Sequence, residues 1–376
     1  MKPPLIGILG CGGAVGRAAC EVLEQSYRIR GGQRSLPQNL NKDKFEWVMV
    51  DLYDPELLSD FCRGCDVILN CAGPSYRIGD CVALAAAESG ACYVDAFGAD
   101  PLEKALLESM AGADGVFVIS AGSFPGLSGL LPRWLFAQGF ETAEEMHAFA
   151  GGREYCTDGA CADILLSSVS GFGIPGAFLR NGSLIRNAED FHGKVYLPGF
   201  KEEAYVQRFL NSEAVRLAEK LKLQEVHCYN VVAEKQVSDI LSRSCARLAM
   251  NNSDAVLKEE MSKVSAAASM ALSGGSAWYT IMVELHGRTQ GKAVRKRVVL
   301  HSSNSYRLSG VVAAAAVEAV LEHGLANGVY WAFDVLNPFR VMEKLFEAKA
   351  AKSFGVVDIP PVRDNIILGE MEEGML

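Results

Sequence analysis

The run Gly10-Cys11-Gly12-Gly13-Ala14-Val15-Gly16 gathers four glycines and no charged side chain within seven residues. Glycine lets backbone amides come up against an anion, and a helix that starts behind such a loop adds the positive end of its dipole. The spacing reads as G-x-G-x-x-x-G or as G-x-x-G-x-x-G, both variants of the fingerprint that receives a dinucleotide pyrophosphate. The fingerprint has meaning only between a strand and a helix. Apolar Leu5–Leu9 before the loop and helical Ala14–Leu23 after it supply that setting. Gly10, Gly12, Gly13, Ala14, Val15 and Gly16 are therefore candidate cofactor-binding residues.

The end of the second strand separates two cofactors, because an acid there suits the ribose hydroxyls of NAD while cations suit the 2′-phosphate of NADP. Gln25 to Lys42 contains no Asp or Glu but holds Arg28, Arg30 and Arg34. With Arg34 just past the strand, able to pair with phosphate, NADP(H) is expected ahead of NAD(H). Asp51 closes the third strand, as an adenine-side contact or as a cap for the next turn. Asn70-Cys71-Ala72-Gly73-Pro74 closes the fourth with small residues and a rigid turn, and Asp95 with Gly98 closes the fifth. Strand C-termini line the ligand crevice of such folds, so Asn70, Cys71, Ala72, Gly73, Pro74 and Asp95 join the candidate cofactor site.

Reduction by a nicotinamide needs a hydride from the cofactor and, for a C=N bond, a proton delivered to nitrogen. Tyr76, His147 and Tyr155 are the candidate donors, and Arg153, after Gly151-Gly152, could clamp a substrate carboxylate. Each has a structural alternative: a pocket wall for Tyr76, a satisfied core imidazole for His147, a surface guanidinium for Arg153. No metal is expected, since no H-x-x-x-H or paired His/Cys set occurs. Cys62 and Cys65, although spaced C-x-x-C, read as ordinary thiols.

The elements that must position these residues alternate in the first 120 residues. Strands are predicted at Leu5–Leu9, Tyr27–Arg30, Trp47–Asp51, Val67–Cys71, Cys92–Asp95 and Val116–Ser120, with helices between, the pattern of a doubly wound parallel sheet. Further along, strands are predicted at Met146–Ala150, Val195–Leu197 and Gln224–Val232. A hairpin of Trp278–His286 and Val294–His301 around a loop at Gly287 to Gly291 makes the second part α+β with an antiparallel sheet. The fold class is thus α/β, a Rossmann-type domain with a second α+β domain. The expected division is residues 1–123 for the dinucleotide, 124–308 for substrate and catalysis, and 309–376 as helices returning to the first domain. A small-residue helix, Ser309–Glu322, and a last helix begun by Asn337-Pro338 belong to that return.

Composition excludes several classes. A net charge of −9 argues against nucleic acid or an anionic membrane as partner. Eleven scattered cysteines fit reduced thiols and a cytoplasmic setting. No stretch has the length and apolarity of a membrane span. A small molecule is the expected partner, and a homodimer is compatible with the chain.

Several of these residues together resemble the saccharopine dehydrogenase-like (saccharopine reductase) family of NADP-binding oxidoreductases. They are the loop ending in Gly16-Arg17, Val67-Ile68-Leu69-Asn70-Cys71-Ala72-Gly73-Pro74 followed by Gly79, Tyr93-Val94-Asp95 with Gly98, Ser123-Phe124-Pro125-Gly126, and Gly328-Val329-Tyr330-Trp331-Ala332 with Asn337-Pro338. The resemblance is good over the first third and patchy beyond, and the Cys11-Gly12-Gly13 core departs from the commoner family loop. It implies an NADPH-dependent oxidoreductase. The leading expectation is reduction of a C=N bond: an imine, a thiazoline, or an opine-type condensation, on a substrate that is free or carried by a protein. An enoyl (C=C) reductase of the same family and a non-catalytic NADP-binding sensor or scaffold are the alternatives.

Overall fold

The computed structural model describes residues 2–35, 45–109, 114–188, 191 and 193–359. In chain order, β1 (Leu5–Leu9), α1 (Ala14–Leu23), β2 (Arg28–Gln33), β3 (Phe45–Met49), α2 (Pro55–Cys62) and β4 (Val67–Asn70) come first. Then come α3 (Ser75–Ile78), α4 (Cys81–Glu88), β5 (Cys92–Asp95), α5 (Asp100–Ser109), β6 (Val116–Ile119) and α6 (Leu127–Phe136). β7 (Thr142–Arg153) and α7 (Asp158–Val169) lead to β8 (Gly173–Pro175), β9 (Phe178–Arg180), β10 (Ser183–Ile185) and β11 (Tyr205–Asn211). Next are α8 (Ser212–Leu221), β12 (Glu225–Val232), α9 (Lys235–Met250), α10 (Asp254–Ser273), β13 (Trp278–Thr289) and β14 (Lys292–Ser302). The chain closes with α11 (Ser305–His323), β15 (Gly328–Trp331), α12 (Ala332–Val335), α13 (Pro338–Glu347) and β16 (Ser353–Asp358).

Internal contacts divide the chain discontinuously. One unit is Met1–Leu131 with Thr157–Phe172 and Asn304–Ala351; the other is Pro132–Cys156 with Gly173–Ser303 and Lys352–Leu376. The sequence reading placed contiguous boundaries at 123/124 and 308/309. Here α7 joins the first unit and β16 the second.

In the first unit the sheet runs β15-β6-β5-β4-β1-β2-β3, all parallel. β1 lies between β4 and β2, so the strand order reverses there, at the place where open α/β sheets hold their ligands. β1, β4 and β6 are buried throughout, as strands covered by helices on both faces must be. α11 packs directly on α1: a Cβ at Gly310 would stand 2.6 Å from the Val15 carbonyl oxygen and 2.5 Å from the Ala18 Cβ. That close approach is what the alanine-rich sequence of α11 makes room for.

The second unit holds a sheet in the order β10-β9-β12-β7-β13-β14-β16, with β11 paired to β12 and to β8. Phe149, Tyr229, Val231, Trp278 and Met282 project from its central strands into one cluster with Leu197, Phe200 and Val206. The predicted hairpin is present but tighter than expected. β13 and β14 pair through to Thr289↔Lys292, and the turn is Gln290-Gly291, with φ of +50° and +72°, the backbone that suits the twist of a two-residue hairpin.

Three sequence boundaries need correction. β2 extends through Gln33, and β3 ends at Met49, so Asp51 lies beyond its strand. Val195 makes only a single bridge to Ala204 instead of a strand over 195–197. β8 to β11, β15 and β16 were not anticipated; β8, β9 and β10 are three residues each, too short to show an alternation. The sequence pattern suggests a helix over Pro101–Met110, of which Met110 is outside the described residues, as are 360–376.

Candidate functional site

The glycine loop sits between β1 and α1 with its residues in distinct roles. Gly10 has φ of +71°, and a Cβ there would lie 2.7 Å from the Ala72 amide nitrogen, so loop and β4 terminus touch backbone to backbone. Gly13 donates to the Gly10 carbonyl at 2.9 Å, closing the turn. A Cβ at Gly16 would meet that same carbonyl oxygen at 2.3 Å, and one at Gly12 would meet Gln33 Oε1 at 2.0 Å. Gly13 is the N-cap of α1, yet no side chain caps the helix and its first turn has no acid. The orphan amides that open a helix are thus left without a side-chain acceptor, which suits a pyrophosphate. Ala14, Val15 and Gly16 form that first turn, with Val15 and Gly16 buried.

Arg34 follows β2 directly and is exposed. Arg28 and Arg30 lie within the strand, and Arg30 is spent on Glu46 at 2.9 Å and on the carbonyls of Phe61 and Arg63 at 2.7 Å each. Arg34 and Arg77 both act on the phenol of Tyr53; burial, Cys81 and Asp51 outweigh them and hold its pKa above the ordinary value. Asp51 accepts from the Tyr53 amide at 3.1 Å, the turn role weighed for it in the sequence. Cations, a phenol and an acid thus gather on the β2–β3 side of the switch point.

On the β4–β5 side, Asn70 and Asp95 are both 1 % exposed. Asn70 donates to Asp95 Oδ2 at 3.0 Å and accepts from the Ala72 amide at 3.1 Å; Asp95 also accepts from Tyr93 OH and from the Phe97 amide at 2.8 Å. Burial raises the Asp95 pKa against these bonds. Both side chains therefore set the two turns beside the crevice. Cys71 is buried, and burial raises its pKa well above a free thiol's, opposite to an activated nucleophile. Ala72 and Pro74 are partly exposed and Gly73 is exposed, which leaves this backbone open to a ligand.

Tyr76 follows on α3, partly exposed, its pKa raised first by burial and then by Asp163 and Asp100. Asp163 is not among the candidate donors named from the sequence. The chain folds α7 back into the first unit, and Asp163 Oδ1 accepts from the Ser75 amide at 2.7 Å and from the Ser75 hydroxyl at 3.1 Å. Burial lifts its pKa to about 7. No motif announces this residue, because the contact spans 88 positions.

His147, Arg153 and Tyr155 belong to the second unit, where His147 and Arg153 fall into separate clusters. Tyr155 is 40 % exposed. Arg153 is 4 % exposed and gives its donors to Glu202, to Glu234 at 2.8 Å and to the Ala271 carbonyl, while Trp278 Nε1 binds Glu202 at 2.7 Å. It is neither the surface arginine nor the open carboxylate clamp that the sequence suggested.

His147 stands in a ladder of Glu-x-His pairs on three neighbouring strands: Glu145/His147 on β7, Glu225/His227 on β12 and Glu284/His286 on β13. Register puts His227 and Glu284 on either side of His147, and Glu225 and His286 on either side of Glu145. His147 Nε2 lies 2.5 Å from Glu145, its Nδ1 has no hydrogen-bond partner, and its ring stacks on His227 at 4.6 Å. Burial lowers the pKa of His147, and burial with His147 lowers that of His227 to about 4, so both are neutral at pH 7. Glu145, His147 and His227 could by distance hold a cation, their ligand atoms lying within 4.8 Å of one another. Hydrogen bonding argues otherwise. Arg208 donates to His227 Nδ1 at 2.8 Å, so Nε2 carries the proton and donates to Glu225 at 2.7 Å, and His227 has no lone pair to offer.

Among the described residues, no helix is long and apolar enough to cross a membrane.

The fold and the glycine loop together define a two-unit protein with a Rossmann-type parallel sheet. Its fold is that of saccharopine dehydrogenase: the chain is similar to the apo, histidine-tagged L-Glu-forming enzyme from Saccharomyces cerevisiae, with TM-score 0.66 and 12% identity over 94% of this chain and 100% of that one. A further structural likeness is to the C. glutamicum DAP dehydrogenase in complex with DAP, at TM-score 0.48 and 15% identity over 92% and 99% of the two chains. No family model and no curated protein sequence matches the chain.

Proposed function

We propose that the protein is an NADPH-dependent oxidoreductase that reduces a C=N bond, an imine or thiazoline, in a small amino-acid-derived substrate, free or carried on a protein. The observation that carries this reading is the Gly10–Gly16 loop at the switch point, with its uncapped α1 terminus, beside an exposed Arg34 and no acid at the end of β2. Gly10, Gly12, Gly13, Ala14, Val15 and Gly16 would take the pyrophosphate, and Arg34 the 2′-phosphate. When bound, the nicotinamide supplies the hydride. Ala72, Gly73 and Pro74 border that part of the crevice, and Tyr76 beyond them shapes it. Arg153 and His147 take no part in this assignment, since both are consumed in their own clusters.

The test is a fluorescence titration of NADPH and NADH against the protein and its Arg34→Ala variant. Tighter NADPH binding, weakened about 10- to 100-fold in the variant with NADH unchanged, is the expected result for loss of a charge-assisted phosphate contact. Equal binding of both cofactors would remove the NADPH assignment. NADPH oxidation by cyclic imino acids, compared with enoyl thioesters, then distinguishes C=N from C=C reduction.

A further inference from the structure

We propose that Asp163 is the catalytic acid of this site, giving its proton to the nitrogen of the C=N bond as the bond is reduced. The inference rests on the reductase reading above and adds a residue to it.

Position comes first. Strand order places the loop after β4 beyond the switch point, on the opposite side of β1 from Arg34 and Asp51, and so on the half of the sheet that faces the nicotinamide end of a dinucleotide. Asp163 comes to that loop from α7 in the same unit. Its Oδ1 is fixed by the amide and hydroxyl of Ser75. Its Oδ2 lies beside Gly73, 3.0 Å from where a Cβ of that residue would stand, so an exposed glycine keeps the space next to this oxygen free. Asp163 as a residue keeps part of its surface exposed.

The chemistry follows from the surroundings. The carboxylate accepts from the neutral amide and hydroxyl of Ser75, and the charged group that acts on it electrostatically is another acid, Asp95. Burial, opposed by the Ser75 and Tyr76 hydrogen bonds, brings its pKa to about 7, where an acid can both hold a proton and release it. Tyr76, raised by burial and by Asp163 itself, is the poorer donor. In the step, hydride from reduced nicotinamide forms the new C–H bond, the π pair of C=N passes to nitrogen, and the Asp163 O–H bond breaks to form N–H. The products are an amine, oxidised nicotinamide and the Asp163 carboxylate, which takes a proton back from water.

The experiment uses the full chain with NADPH, cyclic five- and six-membered imino acids, and the variants Asp163→Asn and Ser75→Ala. Asparagine keeps an acceptor for Ser75 but has no proton to give, so the fold and NADPH affinity should persist while turnover falls about 100-fold or more. Loss of the Ser75 hydroxyl removes a bond that favours the carboxylate, so the pH at which wild-type turnover declines should move upward in Ser75→Ala. A substrate titration would not move. Independently of turnover, infrared difference spectra of the NADPH complex should show a carboxylic-acid C=O band that titrates near neutrality and vanishes in Asp163→Asn. A missing band, or Asp163→Asn turning over like wild type with the same pH profile, would overturn the proposal with the reductase reading intact. Wild type that binds NADPH but oxidises it with no C=N substrate would instead bring down the reading itself, and the assignment of the acid with it.

Discussion

Arg153 and Glu202 form a bidentate ion pair inside the second unit, with Nε 3.1 Å from Oε1 and Nη2 3.0 and 3.1 Å from Oε1 and Oε2. The guanidinium is almost fully enclosed, whereas the carboxylates of Glu202 and Glu234 are each more than a third exposed. Glycines make the room: a Cβ at Gly274 would lie 3.2 Å from Nη1, and one at Gly275 3.4 Å from Cζ. Arg153→Met should destabilise the protein by about 3 kcal/mol, the low end for breaking a buried pair, because the freed carboxylates can turn to water. Chemical denaturation checks this. If Arg153 were held for a substrate carboxylate, the variant would lose substrate affinity with its stability unchanged.

The glycine loop makes an ordered prediction. At Gly16 an added methyl would strike the Gly10 carbonyl at 2.3 Å, backbone that cannot retreat without opening the turn; at Gly12 it would strike the far end of the Gln33 side chain. Gly16→Ala should therefore cost about 2 kcal/mol or more, as overpacking against backbone does, and Gly12→Ala clearly less. NADPH affinity should fall in both. Gln33→Ala added to Gly12→Ala should recover stability, which a thermal melt of the double variant reads directly.

These two clusters show what a sequence discloses. The glycine loop was legible because its signal is local: a strand, four glycines and a helix in consecutive positions, confirmed at β1 and α1. The hairpin was legible for the same reason. Asp163 was not, since nothing near it in the chain says that α7 returns to the first unit while β7 before it and β8 after it belong to the second. Arg153 was misplaced because its partners lie at positions 202, 234 and 271, too remote for spacing to connect. Asn70 and Asp95 were found as strand-end polar residues, but only the 3.0 Å bond between them shows that they face each other.

That bond supports a third prediction. Asp95→Ala would leave the buried Asn70 amide and Tyr93 hydroxyl, and the half-buried Phe97 N–H, without their acceptor. At about 1 kcal/mol or more for each buried unsatisfied donor, a loss of about 2 kcal/mol or more is expected. Asn70→Ala removes one of these donors and frees the Ala72 amide, which is partly exposed, so it should cost less. Urea unfolding of the two variants side by side tests the order.

The Glu-x-His ladder gives stability a definite pH dependence. His147 and His227 are both held below the ordinary histidine value of 6.5 by burial first, with His286 adding to the effect on His147 and His147 to that on His227, which is held at about 4. Below pH 6.5 the unfolded chain binds protons that these folded imidazoles refuse, so their contribution, whole above 6.5, is lost as pH falls, for His227 through about 4. Glu284 extends the loss: burial raises its pKa, but His286, Arg297 and Arg295 prevail and hold it at about 2, so its share is complete above the ordinary value of 4.5 and disappears toward 2. His286 works in the other direction. Burial pulls it down, but hydrogen bonds to Glu145 and Glu284 leave its pKa above 6.5, and the stability it adds is whole below 6.5 and fades as pH rises through the raised value. Two imidazoles against one predict a net fall in melting temperature on acidification from pH 6.5. His227→Gln, which keeps a polar side chain without the titration, should flatten that slope relative to wild type. A parallel slope in the two proteins would mean that His227 is charged in the fold, contrary to the bond it accepts from Arg208.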